Sequence, residues 1–238
     1  MKMDFQKTLL TFFTLFLFNT FLFAEDTWTY TQSAEKLKLM TPEIALQLLK
    51  KGNDRFVSGN MKNRNFLQQA KLTKKNQHPF AFILSCMDSR GSSELIFDQG
   101  IGDIFAGRVA GNVVDKDQLA GMEYATQVMG SHIIVVMGHT SCGAVKGACT
   151  DTKLGNLTQL VNKIMPAVNT IKQNAHTSTL DCDDTKNINA IAKQNVLNMI
   201  KEIQQESPLI RKSIEEKHVM IIGAMHDLSS GRVTFFEK

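Results

Sequence analysis

His132-Ile133-Ile134-Val135-Val136-Met137 is apolar without a break from Ile133 onward, stops at Gly138 and is followed at once by His139. A short continuous run of this kind, rich in β-branched residues and bounded by turn signals, reads as a strand buried on both faces. Upstream, His78-Pro79 introduces Phe80-Ala81-Phe82-Ile83-Leu84, which has the same character, and Ile104-Phe105-Ala106-Gly107-Arg108-Val109 is a further strand candidate. Downstream, His218-Val219-Met220-Ile221-Ile222-Gly223-Ala224 is another buried strand, and Ser229-Ser230-Gly231 reads as a turn into a short last strand at 232–236. Helical spacing fills the intervals. Thr41-Pro42 is a helix start, because Thr can cap and Pro suits the first helical position. Ile44, Leu48, Leu49 and Phe56 then recur on one face until Gly59-Asn60 ends the element. Similar patterns cover 119–129, 157–171 with Pro166 as a potential kink, and 188–205, which Pro208 stops. The stretches 61–77 and 173–187 are polar and lack strong periodicity, and the second reads as a loop. Strands alternating with helices predict an α/β fold, a mostly parallel central β-sheet flanked by helices, with an N-terminal helical arm.

The chain has 238 residues, of which 43% are hydrophobic, enough for one sizeable core. Its net charge of +4 is scattered rather than gathered into a basic block with interleaved aromatics, which argues against a nucleic-acid partner. Lys2 and Lys7 precede an almost wholly apolar run over 9–23, and Ala24 then gives way to Glu25-Asp26. This reads as a secretory signal peptide spanning 1–24. Its apolar run falls short of the ~20 residues that span a bilayer comfortably. The expected organisation is therefore a signal peptide at 1–24, an arm at 25–40 and a single domain at 41–238. The expected location is secreted or periplasmic, with no stable membrane anchor once the signal is removed.

Two short stretches follow buried strands: Ser85-Cys86-Met87-Asp88-Ser89-Arg90 and Gly138-His139-Thr140-Ser141-Cys142-Gly143. Open parallel sheets place ligands at the C-terminal ends of their strands. Two thiols and an imidazole are soft and borderline donors that suit zinc, and three protein ligands leave a position open, as catalytic sites do. Cys86-x-Asp88-x-Arg90 has a two-residue rhythm, so a brief continuation of the strand would point the three side chains to one side. Asp88 and Arg90 can form a charge-assisted pair that holds the carboxylate ionised. The bland readings are a buried apolar cysteine and a structural ion pair. His132 and His218, alone at strand starts, read as structural. The chain has four cysteines, Cys86, Cys142, Cys149 and Cys182. Two disulfides are the default outside the cytoplasm. Metal binding would withdraw Cys86 and Cys142 from exchange, and whether Cys149 and Cys182 pair stays open. A thiol redox protein would want a CxxC pair, which this sequence does not contain.

At this point the chain resembles a β-class carbonic anhydrase, from about residue 41 to 236. Besides the two ligand stretches, the likeness rests on Glu94-Leu95-Ile96-Phe97-Asp98-Gln99, Arg108-Val109-Ala110-Gly111-Asn112, Glu206-Ser207-Pro208-Leu209 and the closing segment 223–231. The resemblance implies a zinc lyase that hydrates CO2 to bicarbonate and a proton, with one Zn2+ per subunit. Cys86, His139 and Cys142 match the zinc ligands, and Asp88 and Arg90 the Asp–Arg dyad, in which Asp88 becomes a fourth ligand only in a closed state. Gln77, Phe105, Ala110, Tyr124 and Gly143 match the lining of the CO2/bicarbonate pocket, part of which comes from a partner subunit. A homodimer is implied, in many members paired into a tetramer. The sequence departs from the commoner pattern at Met87, at Gly91-Ser92-Ser93 and at Met225-His226-Asp227. The competing readings are a related zinc hydrolase acting on CS2 or COS, and a catalytically silent zinc protein with Asp88 as permanent ligand.

Overall fold

The buried apolar runs pair side by side. A computed structural model describes residues 27–236 of the protein, and the expected signal peptide at 1–24 lies outside them. The strands are β1 (Ala81–Ser85), β2 (Ile104–Arg108), β3 (Ile133–His139), β4 (Met220–His226) and β5 (Val233–Phe235). They form one sheet in the order β2-β1-β3-β4-β5, parallel throughout except for the antiparallel β4–β5 pair. Every residue of β1 and β3 is buried, as expected of central parallel strands with helices on both faces. The mixed sheet and its α/β class match the expectation.

Alternation along the strands creates two cores. Phe82 and Leu84 of β1, with Ile134 and Val136 of β3, pack into one cluster, and Ala81, Ile83, Ile133 and Val135 into the other. Nine α-helices cover the sheet among the described residues: α1 (Ala34–Lys38), α2 (Pro42–Val57), α3 (Phe66–Thr73), α4 (Ser93–Ile96), α5 (Lys116–Glu123), α6 (Gly143–Cys149), α7 (Leu157–Asn174), α8 (Thr185–Glu206) and α9 (Pro208–Glu215). The first core takes Met122 of α5, Val145 of α6, Ile164 of α7 and Ile191 of α8; the second takes Leu37 of α1, Leu49 of α2 and Ile96 of α4. Thr41 caps α2 as expected, its hydroxyl accepting from the Ile44 N–H at 3.3 Å. None of these helices is long and apolar enough to cross a membrane.

Several local expectations need correction. The polar stretch 61–77 contains α3, capped by Asn65, whose side chain accepts from the Gln68 N–H. Its outer face is exposed at Leu67 and Leu72, which masked the amphipathic pattern. Pro208 follows the end of α8 but also opens α9, where Ser207 serves as N-cap. Pro166 lies inside α7, which runs on to Asn174. The helix expected over 119–129 begins earlier, at Lys116, and ends in a π-helical turn, Tyr124–Val128. The arm is docked: the Trp28 N–H donates to Asn63 O, and His132 Nε2 lies 2.9 Å from Leu37 O. Cys149 and Cys182, whose pairing the sequence left open, form a disulfide, while Cys86 and Cys142 are free thiols, as their expected role as ligands requires.

Asn53 joins three segments. Its Nδ2 donates to Ile96 O at 3.1 Å and Gly231 O at 2.9 Å, and its Oδ1 accepts from the Val233 N–H at 2.8 Å. The side chain is 2% exposed, so its loss leaves buried backbone groups without partners. Asn53→Ala should lower unfolding stability by about 2–3 kcal/mol, read as a shift of the urea midpoint at unchanged slope.

Candidate metal centre

Parallel pairing sets the site. Ser85, the last residue of β1, is in register with Met137, so Cys86 arrives beside the end of β3. His139 is the final residue of β3 rather than the first of a loop, and buried strand geometry therefore aims its ring. Ser141, with φ of 55°, turns the chain back, and Cys142 becomes the N-cap residue of α6. The two sulfurs and the imidazole nitrogen lie within 4.8 Å of one another. All three residues are buried, at 7%, 5% and 2% exposure for Cys86, His139 and Cys142. Gly111 completes the cradle: its N–H donates to Cys86 Sγ at 3.3 Å. Its φ of +68° lies in the left-handed region that glycine adopts without strain.

The donor atoms fit a zinc ion. His139 Nδ1 lies 2.9 Å from Thr140 O, which holds the proton on that nitrogen, and Nε2 is buried with no protein partner. Such an orphaned atom beside two free thiols is satisfied by a metal. The proximity of the two thiols divides their acidity. The neighbouring Cys142 thiol pulls the Cys86 pKa down, while the interaction with Cys86, followed by burial, pushes Cys142 up. For His139, burial acts downward, but the Cys86 sulfur and Thr140 carbonyl outweigh it and the net shift is upward.

Asp88 and Arg90 are brought to the site by a turn, which corrects the strand-rhythm expectation. β1 ends at Ser85, and Asp88 Oδ1 accepts from the Arg90 N–H at 3.0 Å while the Gly91 N–H donates to Asp88 O. The Arg90 guanidinium then grips both carboxylate oxygens, Nε to Oδ1 at 2.9 Å and Nη2 to Oδ2 at 2.7 Å. This bidentate bond is the main cause that holds the Asp88 carboxyl well below the usual carboxylate range. Asp88 Oδ2 lies 3.9 Å from His139 Nε2, next to the three-donor cluster, with its oxygens engaged by Arg90. Met87 points away and is exposed.

The expected pocket residues divide into two groups. Ala110 precedes Gly111 beside Cys86, and Gly143 follows Cys142. Gln77, Phe105 and Tyr124 are elsewhere. Gln77 precedes β1, and Phe105 is in register with Phe82, so Cys86 is about 13 Å further along the strand. Tyr124 packs edge-on against Phe105, with ring centroids 6.1 Å apart. One chain alone does not bring these three to its own thiols. The sequence reading also missed two contributors. Arg108 closes β2 and donates to Cys86 O at 3.3 Å and Asp88 O at 2.5 Å, a contact foreshadowed only by its place at a strand end. His226 is the register partner of His139 and lines a small cavity with Cys86 and Asp88. Its Nε2 is buried and unpartnered, and burial pushes its pKa down. Its distance from His139 in sequence hid it.

Comparison with known proteins gives a consistent result. A family profile described as carbonic anhydrase matches residues 81–233. The chain is 33% identical over 199 residues to a carbonic anhydrase of Mycolicibacterium smegmatis, covering 81% of this chain and 92% of that protein. It is 33% identical over 198 residues to carbonic anhydrase 2 of Mycobacterium tuberculosis, covering 80% and 91%. Among solved structures, the β-carbonic anhydrase CcaA superposes with a TM-score of 0.65 at 25% identity, covering 81% of this chain and 95% of that one. One of two tetrameric β-carbonic anhydrases from Sordaria macrospora superposes with a TM-score of 0.60 at 26% identity, covering 71% and 90%.

Metal ligation requires both thiols and His139 without the competing protons. Cys142 and His139 hold theirs more firmly than usual. Zinc uptake by the metal-free protein should therefore release protons, and its affinity should fall steeply as pH drops from neutral into the acid range. Calorimetric titration in buffers of different ionisation enthalpy, repeated across pH, measures both.

Proposed function

Because the chain belongs to the β-class carbonic anhydrase family, we propose that it catalyses the reversible hydration of CO2 to bicarbonate and a proton, with one zinc ion held by Cys86, His139 and Cys142. The observation that carries this reading is the cluster of three buried donors within 4.8 Å, next to a carboxylate gripped by arginine. Bound zinc supplies a Lewis acid that brings the ionisation of water toward neutral pH. The chain's own residues do the rest. Asp88, ionised by its pairing with Arg90, accepts a hydrogen bond from the attacking water and orients it toward the carbon. Arg90 keeps that carboxylate turned toward the cavity rather than free to rotate. Arg108 pins the backbone on which Asp88 stands.

The pocket of this reading takes a second copy of the chain. Gln77, Phe105 and Tyr124 lie toward the far end of the strands from Cys86, so their place in a CO2/bicarbonate pocket requires a neighbour's copies. β2 is an edge strand, exposed at Ala106 and Arg108, and Tyr124 and Val128 beside it are 48% and 68% exposed. An open strand edge flanked by exposed apolar side chains favours self-association. The tetrameric state of the Sordaria macrospora enzymes supports a homodimer that pairs further.

The apolar segment at 9–23 and the Cys149–Cys182 bridge together support an exported protein, since disulfides persist in oxidising compartments. The extracytoplasmic form should begin at Glu25 by intact mass; a cytoplasmic form that retains residues 1–24 overturns this.

The decisive measurement is stopped-flow CO2 hydration across pH with zinc content determined on the same sample. Cys142→Ser should lose zinc and activity together. Asp88→Asn should keep zinc and lose about 10²-fold or more in kcat. Full zinc occupancy without turnover from mildly acidic to alkaline pH would instead support the silent reading.

A further inference from the structure

Cys142 stands at a place the local chain does not hold well by itself. Ser141 before it is in the left-handed region, and α6 after it has seven residues, too short to be stable alone. Something outside must keep the turn in shape. The segment before α8 and the first turn of α8 attach to it at three points. The Ser141 N–H donates to Asn189 Oδ1 at 2.9 Å, Lys146 Nζ meets Asp183 Oδ1 at 2.7 Å, and Cys149 is bonded to Cys182. The Lys146–Asp183 pair is exposed and contributes little. The other two are of a different kind: one satisfies the backbone of the strained residue, and one is covalent.

The segment is itself firmly held. The Asp183 N–H donates to Asp181 Oδ1, Asn187 Nδ2 donates to Asp181 O, and Asp184 caps α8 by accepting from the Lys186 N–H. Cys149, Leu180 and Cys182 pack against the core. α8 is anchored by Ile188, Ile191 and Ala192, and it reaches the other thiol as well. Its buried Asn195 donates to Gly111 O at 2.8 Å, and the Gly111 N–H donates to Cys86 Sγ. One helix thus holds the supports of both sulfurs.

We propose that α8 and the 181–189 segment form a clasp that sets the spacing of the two thiols, with Asn189 a positioning residue for Cys142 and the Cys149–Cys182 bond its anchor. The proposal rests on the reading of Cys86, His139 and Cys142 as zinc ligands. Loosening the clasp frees the Ser141 turn, and Cys142 leaves the metal more readily while the sheet stays intact. Partners that orient metal ligands without touching the metal are worth about 10- to 100-fold in affinity.

The test follows zinc release from the full-length mature protein into a chromophoric chelator, alongside thermal unfolding of the metal-free forms. Asn189→Leu, which removes the acceptor, should release zinc about 10- to 100-fold faster with little change in the metal-free unfolding midpoint. Asn189→Asp, which keeps an acceptor, should remain near wild type. The double variant Cys149→Ala/Cys182→Ala should also release zinc faster, and it should unfold earlier. Wild-type release rates in both Asn189→Leu and the double variant overturn the clasp while leaving the zinc reading intact. A wild-type protein that takes up no zinc overturns the zinc reading and the clasp with it.

Discussion

The parallel pairing of β1 with β3 is the constraint on which the rest depends. With Ser85 level with Met137, the chain leaves β1 at the point where β3 delivers His139. Both strands are wholly buried, with alternate side chains fitted into two separate cores, so a register slip would misplace packed side chains on both faces. Two thiols and an imidazole are thereby held together by hydrophobic burial rather than by their own attraction. This matters because the metal-free cluster is electrostatically uncomfortable: one sulfur ionises readily and in doing so makes the other resist.

Around that cluster the protein spends polar groups to fix orientation. Glycine at 111 lets a backbone N–H approach Cys86, and Asn195 holds the carbonyl of the same residue. A tight turn, not a strand, presents Asp88 to Arg90, and Arg108 holds that turn from the neighbouring strand. The result is a carboxylate that stays ionised although it is mostly buried, because both its oxygens are satisfied. His226 and His139 keep buried ring nitrogens without protein hydrogen-bond partners at the centre of the site.

The turn that carries Cys142 is also held from a distant part of the chain. The polar stretch between α7 and α8 carries the cross-link to the end of α6. The edge strand β2 leaves one side of the sheet open, next to Phe105 and Tyr124, which a single chain keeps away from its own thiols.

Much was legible in the sequence alone. Continuous apolar runs at 80–84, 132–137 and 218–224 determined buried parallel strands, and their endings determined where Cys86 and His139 would stand. Residue chemistry identified the three donors and the Asp88–Arg90 pair. Local patterns failed where the deciding contacts are distant. The stretch 61–77 conceals α3 because most of that helix faces solvent, and Pro208 opens α9 as well as following α8. Only tertiary structure decided that Cys149 meets Cys182 across 33 residues, that His226 lies beside His139, and that Gln77, Phe105 and Tyr124 stand away from the thiols. Periodicity records which side of an element is buried, but not which other element covers it, and those pairings are set by packing of the whole chain.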